Sequence, residues 1–304
     1  MKDITLKQLR FLAETVRAGS LAGAAAQLHV TGPAIAQQIR LLERRAGMAL
    51  IERGPHGQRP TEAGRILADT CARIEAEIAV CAESLGSLRS AHTGHVRVGA
   101  VSTAKYFAPH VIASFQRANP GITVSLAVGN RDHILAEVEN YAIDVAIMGR
   151  PPRRLDVVAE VFGEHPYVII AAPDHRFVGR SEVPLFEVAE ETFLVREPGS
   201  GTRMHVDALF AATGKQLLVG MEIASNETIK QAVIAGLGLA MISAHTIAAE
   251  VHDGRLAVLD VEGLPIRRDW LMVRMASRSV SPATTNLWDF FVHQARAQLP
   301  KVDV

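Results

Sequence analysis

The sequence has few cysteines, no long apolar run and no net charge, and these shortages exclude whole classes of protein. Its two cysteines, Cys71 and Cys81, are too few for a disulfide framework and are typical of a reducing compartment. No apolar run approaches the roughly 20 residues that span a membrane. The first residues lack the apolar core and cleavage site of a signal peptide. The sequence therefore predicts a cytoplasmic protein with no membrane partner.

The short motifs of common enzyme sites are also missing. The sequence contains no G-x-S-x-G elbow, no H-E-x-x-H, no P-loop and no Rossmann G-x-G-x-x-G. The glycine-rich residues 236–240 follow a predicted helix and precede a predicted strand, which is the reverse of a dinucleotide-binding turn. We therefore expect no enzyme, no catalytic residue, no metal site and no cofactor. A solute-binding protein, or an enzyme on the same kind of fold, is an alternative that turnover and DNA-shift assays distinguish.

The chain does contain enough apolar material for two or three folded domains, because 48% of its 304 residues are hydrophobic. Its formal net charge is zero, but residues 1–65 carry ten basic and five acidic side chains. This uneven distribution of charge permits a nucleic-acid partner for the N-terminal part of the chain.

Three capping residues, Thr5, Ser20 and Thr31, predict three short helices at the N-terminus. Leucines recur at helical spacing in the first helix, and Gly19 ends it. The second helix is short and rich in alanine, so another helix can pack closely against it. This arrangement is typical of a helix-turn-helix.

The third helix has a polar face opposite an apolar stripe. The stripe consists of Ile35, Ile39 and Leu42. The opposite face consists of Pro33, Gln37, Arg40 and Arg44. Glutamine can pair with adenine, and arginine with guanine or phosphate, when a helix enters the major groove of DNA. The alternative is an ordinary solvated helix face.

Residues 49–61 predict a β-hairpin with Gly54, Pro55 and Gly57 at its turn. Such a wing would bring Arg53 and Arg59 to the DNA backbone. Together with the three helices, the hairpin predicts a winged helix-turn-helix domain over residues 1–62.

Residues 2–64 resemble the DNA-binding domain of LysR-type transcriptional regulators. The matching stretches are LKQLRFLAETVRAGSLAGAAAQL, PAIAQQIRLLERRAG and LIERGPHGQRPTEAG. We expect Gln37 and Arg40 to lie near base edges. We expect Arg44, Arg53 and Arg59 to lie near backbone phosphates. The expected DNA-binding residues are Thr31, Pro33, Ala34, Ala36, Gln37, Arg40, Arg44, Arg53 and Arg59. Gly32 and Ala36 depart from the glutamine and serine common in the family, which bears on operator preference.

A heptad-like pattern over residues 63–93 predicts a linker helix. Its apolar positions, spaced by steps of four and three, are Leu67, Cys71, Ile74, Ile78, Cys81, Leu85 and Leu88. About 30 helical residues would extend roughly 45 Å, which suits a partner helix better than the core of a small domain. We therefore expect a homodimer through this seam. The alternative is a long helix that packs on its own chain.

Residues 94–304 alternate strand and helix patterns in two similar runs. Continuous apolar runs such as 145–148 are typical of strands buried on both faces of a parallel sheet. Two such runs predict an α/β effector-binding domain with two subdomains, about 94–165 with 270–304 and about 166–269. Ligands of open α/β sheets bind where strand ends meet helix starts, here in the cleft between the subdomains.

Polar residues recur at these junctions in both halves. They are Ser102, Thr103, Asn130, Ser200, Gly201, Thr202, Arg203 and Asn226. Each residue could simply cap its helix. Several helix N-termini facing one cleft would instead form an anion site, because each gathers unpaired N–H groups and a positive dipole end.

The C-terminal part resembles the LysR-type effector domain, which has a periplasmic-binding-protein-like fold. The stretches VSTAKYFAP, VGNRDHILAEVENYAIDVAIMGRPP, REPGSGTR and SNETIKQAVIAGLGLAMISAHT are similar to regulators of Calvin-cycle operons. The resemblance implies an activator of carbon-fixation genes, bound to double-stranded promoter DNA as a homotetramer made of two dimers. It also implies a small anionic effector, either a phosphorylated or carboxylated metabolite or a reduced nicotinamide nucleotide. Regulation of other carbon or one-carbon genes is the alternative.

Overall fold

The computed structural model describes residues 4–54, 57–87, 93–211, 214 and 217–302. The chain forms two compact units, residues 1–82 with 140–142 and residues 83–139 with 143–304. Over the described residues, no helix is both long and apolar enough to cross a membrane.

The first unit contains three short helices, a two-stranded hairpin and most of a long helix. These elements are α1 (Leu6–Ala18), α2 (Leu21–Leu28), α3 (Gly32–Ala46), β1 (Ile51–Gly54), β2 (Gly57–Pro60) and α4 (Glu62–Ser87). The strands β1 and β2 pair antiparallel, with Glu52 opposite Arg59. The structure therefore has the helices and the hairpin that the sequence predicts.

Two of the three expected caps form the hydrogen bonds expected of them. The Thr5 hydroxyl accepts from the backbone N–H of Gln8, and the Gln8 side chain accepts from the backbone N–H of Thr5. The Ser20 hydroxyl accepts from the backbone N–H of Gly23 at 3.0 Å. Thr31 does occupy the N-cap position of α3, but its side chain makes no capping hydrogen bond. Pro33, at the second helical position, has no N–H to offer it.

Apolar side chains from all three helices form the core of the first unit. Ile35, Ile39 and Leu42 on α3 are fully buried, as the sequence pattern predicts. Leu12 of α1 and Leu50 pack with Leu42, and α4 contributes Cys71 to the same cluster. The start of the long helix is therefore part of the core of this unit.

The second unit is built on a seven-stranded mixed sheet and a two-stranded sheet. Its strands are β3 (Gly94–Val101), β4 (Ile122–Gly129), β5 (Val145–Met148), β6 (Val157–Ala171), β7 (Thr192–Val195), β8 (Leu218–Glu222), β9 (Ala240–Ser243), β10 (Ala257–Leu259) and β11 (Ile266–Met275). Its helices are α5 (Ala108–Ala118), α6 (Arg131–Glu139), α7 (Leu185–Val188), α8 (Gly201–Ala211), α9 (Asn226–Ile234), α10 (Ala248–His252) and α11 (Pro282–Gln294).

The apolar runs suggested a parallel sheet, but the large sheet is mixed. Its strand order is β10-β6-β11-β5-β3-β4, and β9 also pairs with β6. Only β3 pairs parallel with β4 and β5, whereas β6 pairs antiparallel with β9, β10 and β11. The apolar runs were misleading because burial on both faces does not depend on the direction of the neighbouring strand.

The strand β6 is longer than the sequence pattern indicates. Its first residues are mostly exposed and show no regular alternation of apolar and polar side chains, so the sequence pattern predicts a strand only from Tyr167. In the structure β6 begins at Val157, because ten consecutive residues of β11 pair with it. The pairing begins with Ile266 opposite Tyr167 and ends with Met275 opposite Val157. Cross-strand hydrogen bonding overrides the weak local pattern.

The second unit has separate apolar cores at the two ends of this strand pair. One core contains Phe162 and Trp270, together with residues of β3, β5, α5 and α11. The cores at the other end contain residues from Tyr167 to Val261. The predicted subdomain limits, 165/166 and 269/270, fall in the intervals between these cores.

Candidate DNA interface and effector cleft

The polar face of α3 lies on the surface of the first unit. Thr31, Pro33, Gln37, Arg40 and Arg44 are exposed, and Ala34 and Ala36 are half-buried. Arg40 and Arg44 form no ion pair with any residue that the structure describes, so both guanidinium groups are available to an anionic partner. A helix that buries its apolar side and presents glutamine and arginine on the other has the surface chemistry needed in a major groove.

A buried glutamine, which the sequence analysis did not single out, ties α3 to α1. The side chain of Gln8 is almost completely buried, and its Nε2 donates to Oε1 of Gln38 at 3.1 Å. Its Oε1 accepts from the guanidinium of Arg45 at 3.0 Å. Arg45 therefore supports α3 from within the unit, unlike its neighbour Arg44. A polar residue among the leucines of α1 is the only sequence signal for this role.

The hairpin is fixed against the turn between α1 and α2. The backbone N–H of Gln58 donates to the carbonyl oxygen of Gly19 at 2.8 Å. Gly57 has a φ of +122°, and a Cβ added there would lie 2.5 Å from the same oxygen. Arg53 and Arg59 are exposed, and Nε of Arg59 lies 2.8 Å from Oε1 of Glu52. The ion pair of Arg59 lies at the surface, where such a pair is worth little in water.

A cavity of about 550 Å³ lies between the two ends of the second unit. Five of the eight residues expected to bind effector line it. They are Ser102, Thr103, Ser200, Gly201 and Thr202. The first two follow strand β3, and the other three form the start of α8. Thr103 is buried and makes no capping hydrogen bond, so helix capping does not explain it.

The walls of this cavity are strongly cationic. Arg131, Arg150, Arg153, Arg267 and Arg268 line it, against one carboxylate, Asp269. Arg267 is paired with Glu164 at 2.9 Å. Arg150, Arg153 and Arg268 make no ion pair with a described residue. Positive charge concentrated in a cleft attracts anions more strongly than the same charge on an open surface.

These arginines were not among the predicted effector residues, and apart from Arg131, which begins α6, none of them lies at the start of a helix. The signal was present in two basic runs, residues 150–154 directly after β5 and residues 267–268 inside β11. In a sequence, an arginine pair within a strand is typical of a solvent-exposed face. In the structure, the pairing of β11 with β6 brings this pair to the cavity.

Two histidines with perturbed pKa values also line the cavity. Burial lowers the pKa of His165 well below its usual range, and the neighbouring His245 and His205 lower it further. Burial, Arg268 and Arg131 lower the pKa of His205. Neither ring nitrogen of His165 has a hydrogen-bond partner within the described part of the chain.

Three of the expected effector residues do not line the cavity, and each has a hydrogen-bond partner within the protein. Asn130 accepts from the backbone of His133 at 2.9 Å and donates to Glu197 at 3.3 Å. Arg203 contacts Asp207 and Glu222 and donates to the carbonyl of Arg196. Asn226 is buried and accepts from the guanidinium of Arg196.

Arg196, which the sequence analysis passed over, connects the two ends of the second unit at the cleft. It is almost completely buried and forms two hydrogen bonds with the adjacent carboxylate of Glu197. Its guanidinium also donates to the Ser102 hydroxyl at 3.2 Å. Ser102 therefore lines the cavity while it holds the end of β3 against the strand end that carries Arg196.

The long helix α4 presents two kinds of apolar residue. Cys71 is buried within the first unit, and Leu67 is partly buried against the same cluster. Burial raises the pKa of the Cys71 thiol to about 11. Further along α4, four of the predicted seam residues are exposed: Ile74, Ile78, Cys81 and Leu85. Leu88 lies outside the described residues.

A winged helix-turn-helix with a free basic face and an α/β unit with a cationic cleft together define a DNA-binding protein that responds to a small molecule. Comparison of the sequence with known families agrees: residues 6–65 match the bacterial regulatory helix-turn-helix protein, lysR family, and residues 89–296 match the LysR substrate binding domain. The chain belongs to the LysR family; it is a transcriptional regulator and not an enzyme.

Three individual proteins show which members of the family this chain is similar to. The HTH-type transcriptional regulator CbbR of Sinorhizobium medicae is 45% identical over 303 residues, which are 99% of this chain and 97% of that protein. The RuBisCO operon transcriptional regulator of Allochromatium vinosum is 39% identical, over 96% of this chain and 97% of that protein. The regulatory domain of Synechocystis CcmR, solved in complex with 2-PG, is 36% identical with a TM-score of 0.64, and the match covers 66% of this chain and 96% of that domain.

Proposed function

We propose that this regulator controls carbon-fixation genes of the RuBisCO-operon type by binding their promoter DNA, and that a small anionic metabolite in its cleft sets its activity. The cationic cavity carries the proposal, because unpaired arginines together with the start of α8 form a site for phosphate or carboxylate oxygens. The identity to regulators of this class supports the target. Because bacterial DNA lies in the cytoplasm, the proposal places the protein there.

At the promoter, α3 would enter the major groove. Gln37 and Arg40 would read base edges, and Arg44, Arg53 and Arg59 would bind phosphates on the helix and the wing. Thr31, Pro33, Ala34 and Ala36 complete the proposed contact surface near the start of α3. The exposure of the polar face and the free guanidinium groups of Arg40 and Arg44 support this assignment.

In the cleft, the effector would bridge residues from both ends of the second unit. Ser102 and Thr103 belong to the end with the β3 core, and Ser200, Gly201 and Thr202 to the other. A bridging anion binds the closed cleft better than an open one, and only such a difference in affinity can shift the population of the two states. The 2-PG (2-phosphoglycolate) complex of the Synechocystis domain makes this phosphorylated acid the first candidate.

The proposed oligomer is a homodimer through α4, with two dimers joined into a tetramer. A helix of 26 residues extends about 39 Å, and the apolar residues exposed between Ile74 and Leu85 lie within 60° of one another around its axis. A stripe of this kind is expected to pack against a second helix. Leu67 and Cys71 are not part of this proposed seam.

Two measurements test the proposal. Mapping of bound genomic fragments should recover promoters of carbon-fixation genes, and recovery of unrelated promoters would overturn the target. Calorimetry should detect binding of 2-phosphoglycolate, or of another phosphorylated metabolite or reduced nicotinamide nucleotide, to the full-length protein. Thr202→Ala and Arg268→Gln should weaken that binding about tenfold or more, whereas Arg180→Gln, outside the cavity, should not. Equal affinity for all three variants would show that the cleft is not the site.

A further inference from the structure

His165 is a buried histidine in the wall of the cavity whose hydrogen-bonding groups are unused. Its side chain is 1% exposed, and both Nδ1 and Nε2 lack a partner among the residues that the structure describes. Buried polar groups nearly always have a hydrogen-bond partner, since leaving one unpaired costs the full desolvation of that group. The two nitrogens of His165 therefore need an explanation.

Packing does not explain them. The imidazole stacks on the indole of Trp270, with ring centroids 3.6 Å apart and planes inclined by 11°, and lies 4.3 Å from the ring of Tyr167. These contacts need only a flat ring, which phenylalanine would supply without the cost of burying two polar atoms. His245 is a useful contrast: it is also parallel to Trp270, but its Nδ1 accepts from the indole N–H at 3.0 Å.

The surroundings of His165 keep its ring neutral and leave it able to donate. The titratable and charged groups around it are Tyr167 on its own strand, Arg268 opposite it on β11, His205 on α8 and His245. The carboxylates closest in the strand pairing are Glu164 and Asp269, which face each other one position along, and the pKa of His165 is lowered by burial, His245 and His205. A neutral imidazole has one N–H donor and one acceptor nitrogen.

We propose that His165 is an effector-binding residue whose ring N–H donates a hydrogen bond to a phosphate or carboxylate oxygen of the metabolite in the cleft. This inference rests on the proposed function, because it places the anion in the same cavity. His165 lies on β6 between the two cores of the second unit, so an effector held there contacts the strand that joins both ends. The residue would thereby fix the position of the anion at the base of the cleft.

Three variants of the full-length protein test this. His165→Phe keeps the stacked ring and removes both nitrogens, His165→Gln keeps an N–H donor, and His245→Phe removes a buried imidazole that does not line the cavity. Calorimetry with 2-phosphoglycolate should show about 10- to 100-fold weaker binding for His165→Phe, a smaller loss for His165→Gln and parental affinity for His245→Phe. Thermal unfolding should show that His165→Phe is at least as stable as the parent, because an unpaired buried polar group is gone.

The outcomes separate the two proposals. If Thr202→Ala weakens binding but His165→Phe and His165→Gln do not, the cleft assignment stands and the role of His165 is wrong. If His165→Phe and His245→Phe weaken binding equally, the stacked cluster and not a ring nitrogen is responsible, which also overturns the inference. A parent protein that binds neither 2-phosphoglycolate nor the other candidate anions overturns the proposed function and this inference with it.

Discussion

At the scale of single residues, the partners that a side chain already has distinguish binding residues from structural ones. Arg44 and Arg45 are adjacent in sequence, yet Arg45 donates to buried Gln8 whereas Arg44 is exposed and makes no ion pair with a described residue. In the cleft, Arg203 is held by Asp207 and Glu222, whereas Arg268 is unpaired over the same described residues. Residue type alone predicts charge, and only the contacts show which charges are available.

The residues of the α3 face should separate into those that read bases and those that hold phosphates. We expect Gln37→Ala to reduce discrimination between operator and scrambled duplexes by about 5- to 150-fold, because a bidentate base contact is worth about 1–3 kcal/mol. We expect Arg44→Ala to weaken binding to both duplexes alike and to lower the salt slope by about one. Fluorescence anisotropy over a salt series measures both.

Gln27→Ala is the matched control for these variants, because Gln27 is an exposed glutamine on α2. Its discrimination and salt slope should equal those of the parent. Unchanged discrimination in Gln37→Ala would place the reading residues elsewhere.

At the scale of elements, two segments are positioned by backbone contacts that tolerate little change. The hairpin meets the α1–α2 turn at Gly57, and the beginning of α4 meets Leu50 at Gly64, where a Cβ would lie 1.9 Å from the Leu50 carbonyl oxygen. These close approaches fix the wing and the long helix relative to α3 within the first unit. Glycine is required at both positions because any side chain would collide with backbone.

Gly57→Ala should damage the wing. The left-handed backbone and the contact with the Gly19 carbonyl should together cost about 1–3 kcal/mol of stability. Urea unfolding measures this cost, and DNA affinity should fall with it. Gly54→Ala is the control, because a Cβ there would lie 3.2 Å from the flexible side chain of Arg59 and at an ordinary contact distance of 3.5 Å from the Gly57 carbonyl oxygen. Equal stability of the two variants would contradict the prediction.

The exposed stripe on α4 should control assembly. Ile78 is 45% exposed, so Ile78→Asp should leave the folded chain intact while placing an unpaired charge in the proposed helix–helix seam. Light scattering should then show a smaller particle, and operator affinity should fall. Ile66→Asp is the matched control, because Ile66 is 57% exposed on the same helix but lies about 60–120° around the axis from the residues of the stripe. An unchanged mass for Ile78→Asp would place the seam elsewhere.

At the scale of the whole molecule, the second unit is two cores joined by one long pair of strands. Strands β6 and β11 contribute residues to both cores, and the cavity lies where they pass from one to the other. We expect closure of the cleft on an effector to bend these two strands while each packed core moves as a body. This arrangement fits a regulator whose two states differ in how well they hold one anion.

Stability should depend on pH through the buried histidines. Burial lowers the pKa of His245 to about 4 and also lowers the pKa values of His165 and His205. Between about pH 6.5 and 4 the unfolded chain binds protons at these sites that the folded chain does not, so the free energy of unfolding should fall as the pH falls. Above pH 6.5 the contribution is complete. Urea unfolding from pH 7.5 to 5 measures how the free energy of unfolding depends on pH. In His165→Phe this free energy should fall less steeply with falling pH than in the parent, and an equally steep fall would contradict the prediction.

Much of the fold could be predicted because local patterns determine it. Helix caps, apolar stripes and the glycine-bounded hairpin are short-range features, and they gave the elements of the first unit nearly complete. The first half of β6 and the strand β8 were not expected, because their mostly exposed residues show no regular alternation of apolar and polar side chains. For the site, the two serine–threonine stretches at helix starts were expected, whereas the arginines that line the cavity were not.

By itself, the sequence determined the winged helix-turn-helix, the polar face of α3 and the α/β character of the effector domain, since periodicity and capping act between residues close in the chain. Only the tertiary structure decided which polar groups are free. Strand pairing brings Arg268 opposite His165 and both to the cavity that Ser200 lines, although these residues lie far apart in sequence. The tertiary structure also buries Cys71 and gives Arg203 and Asn226 hydrogen-bond partners within the protein. Sequence alone does not show this, because the partners of a side chain are set by packing between distant segments.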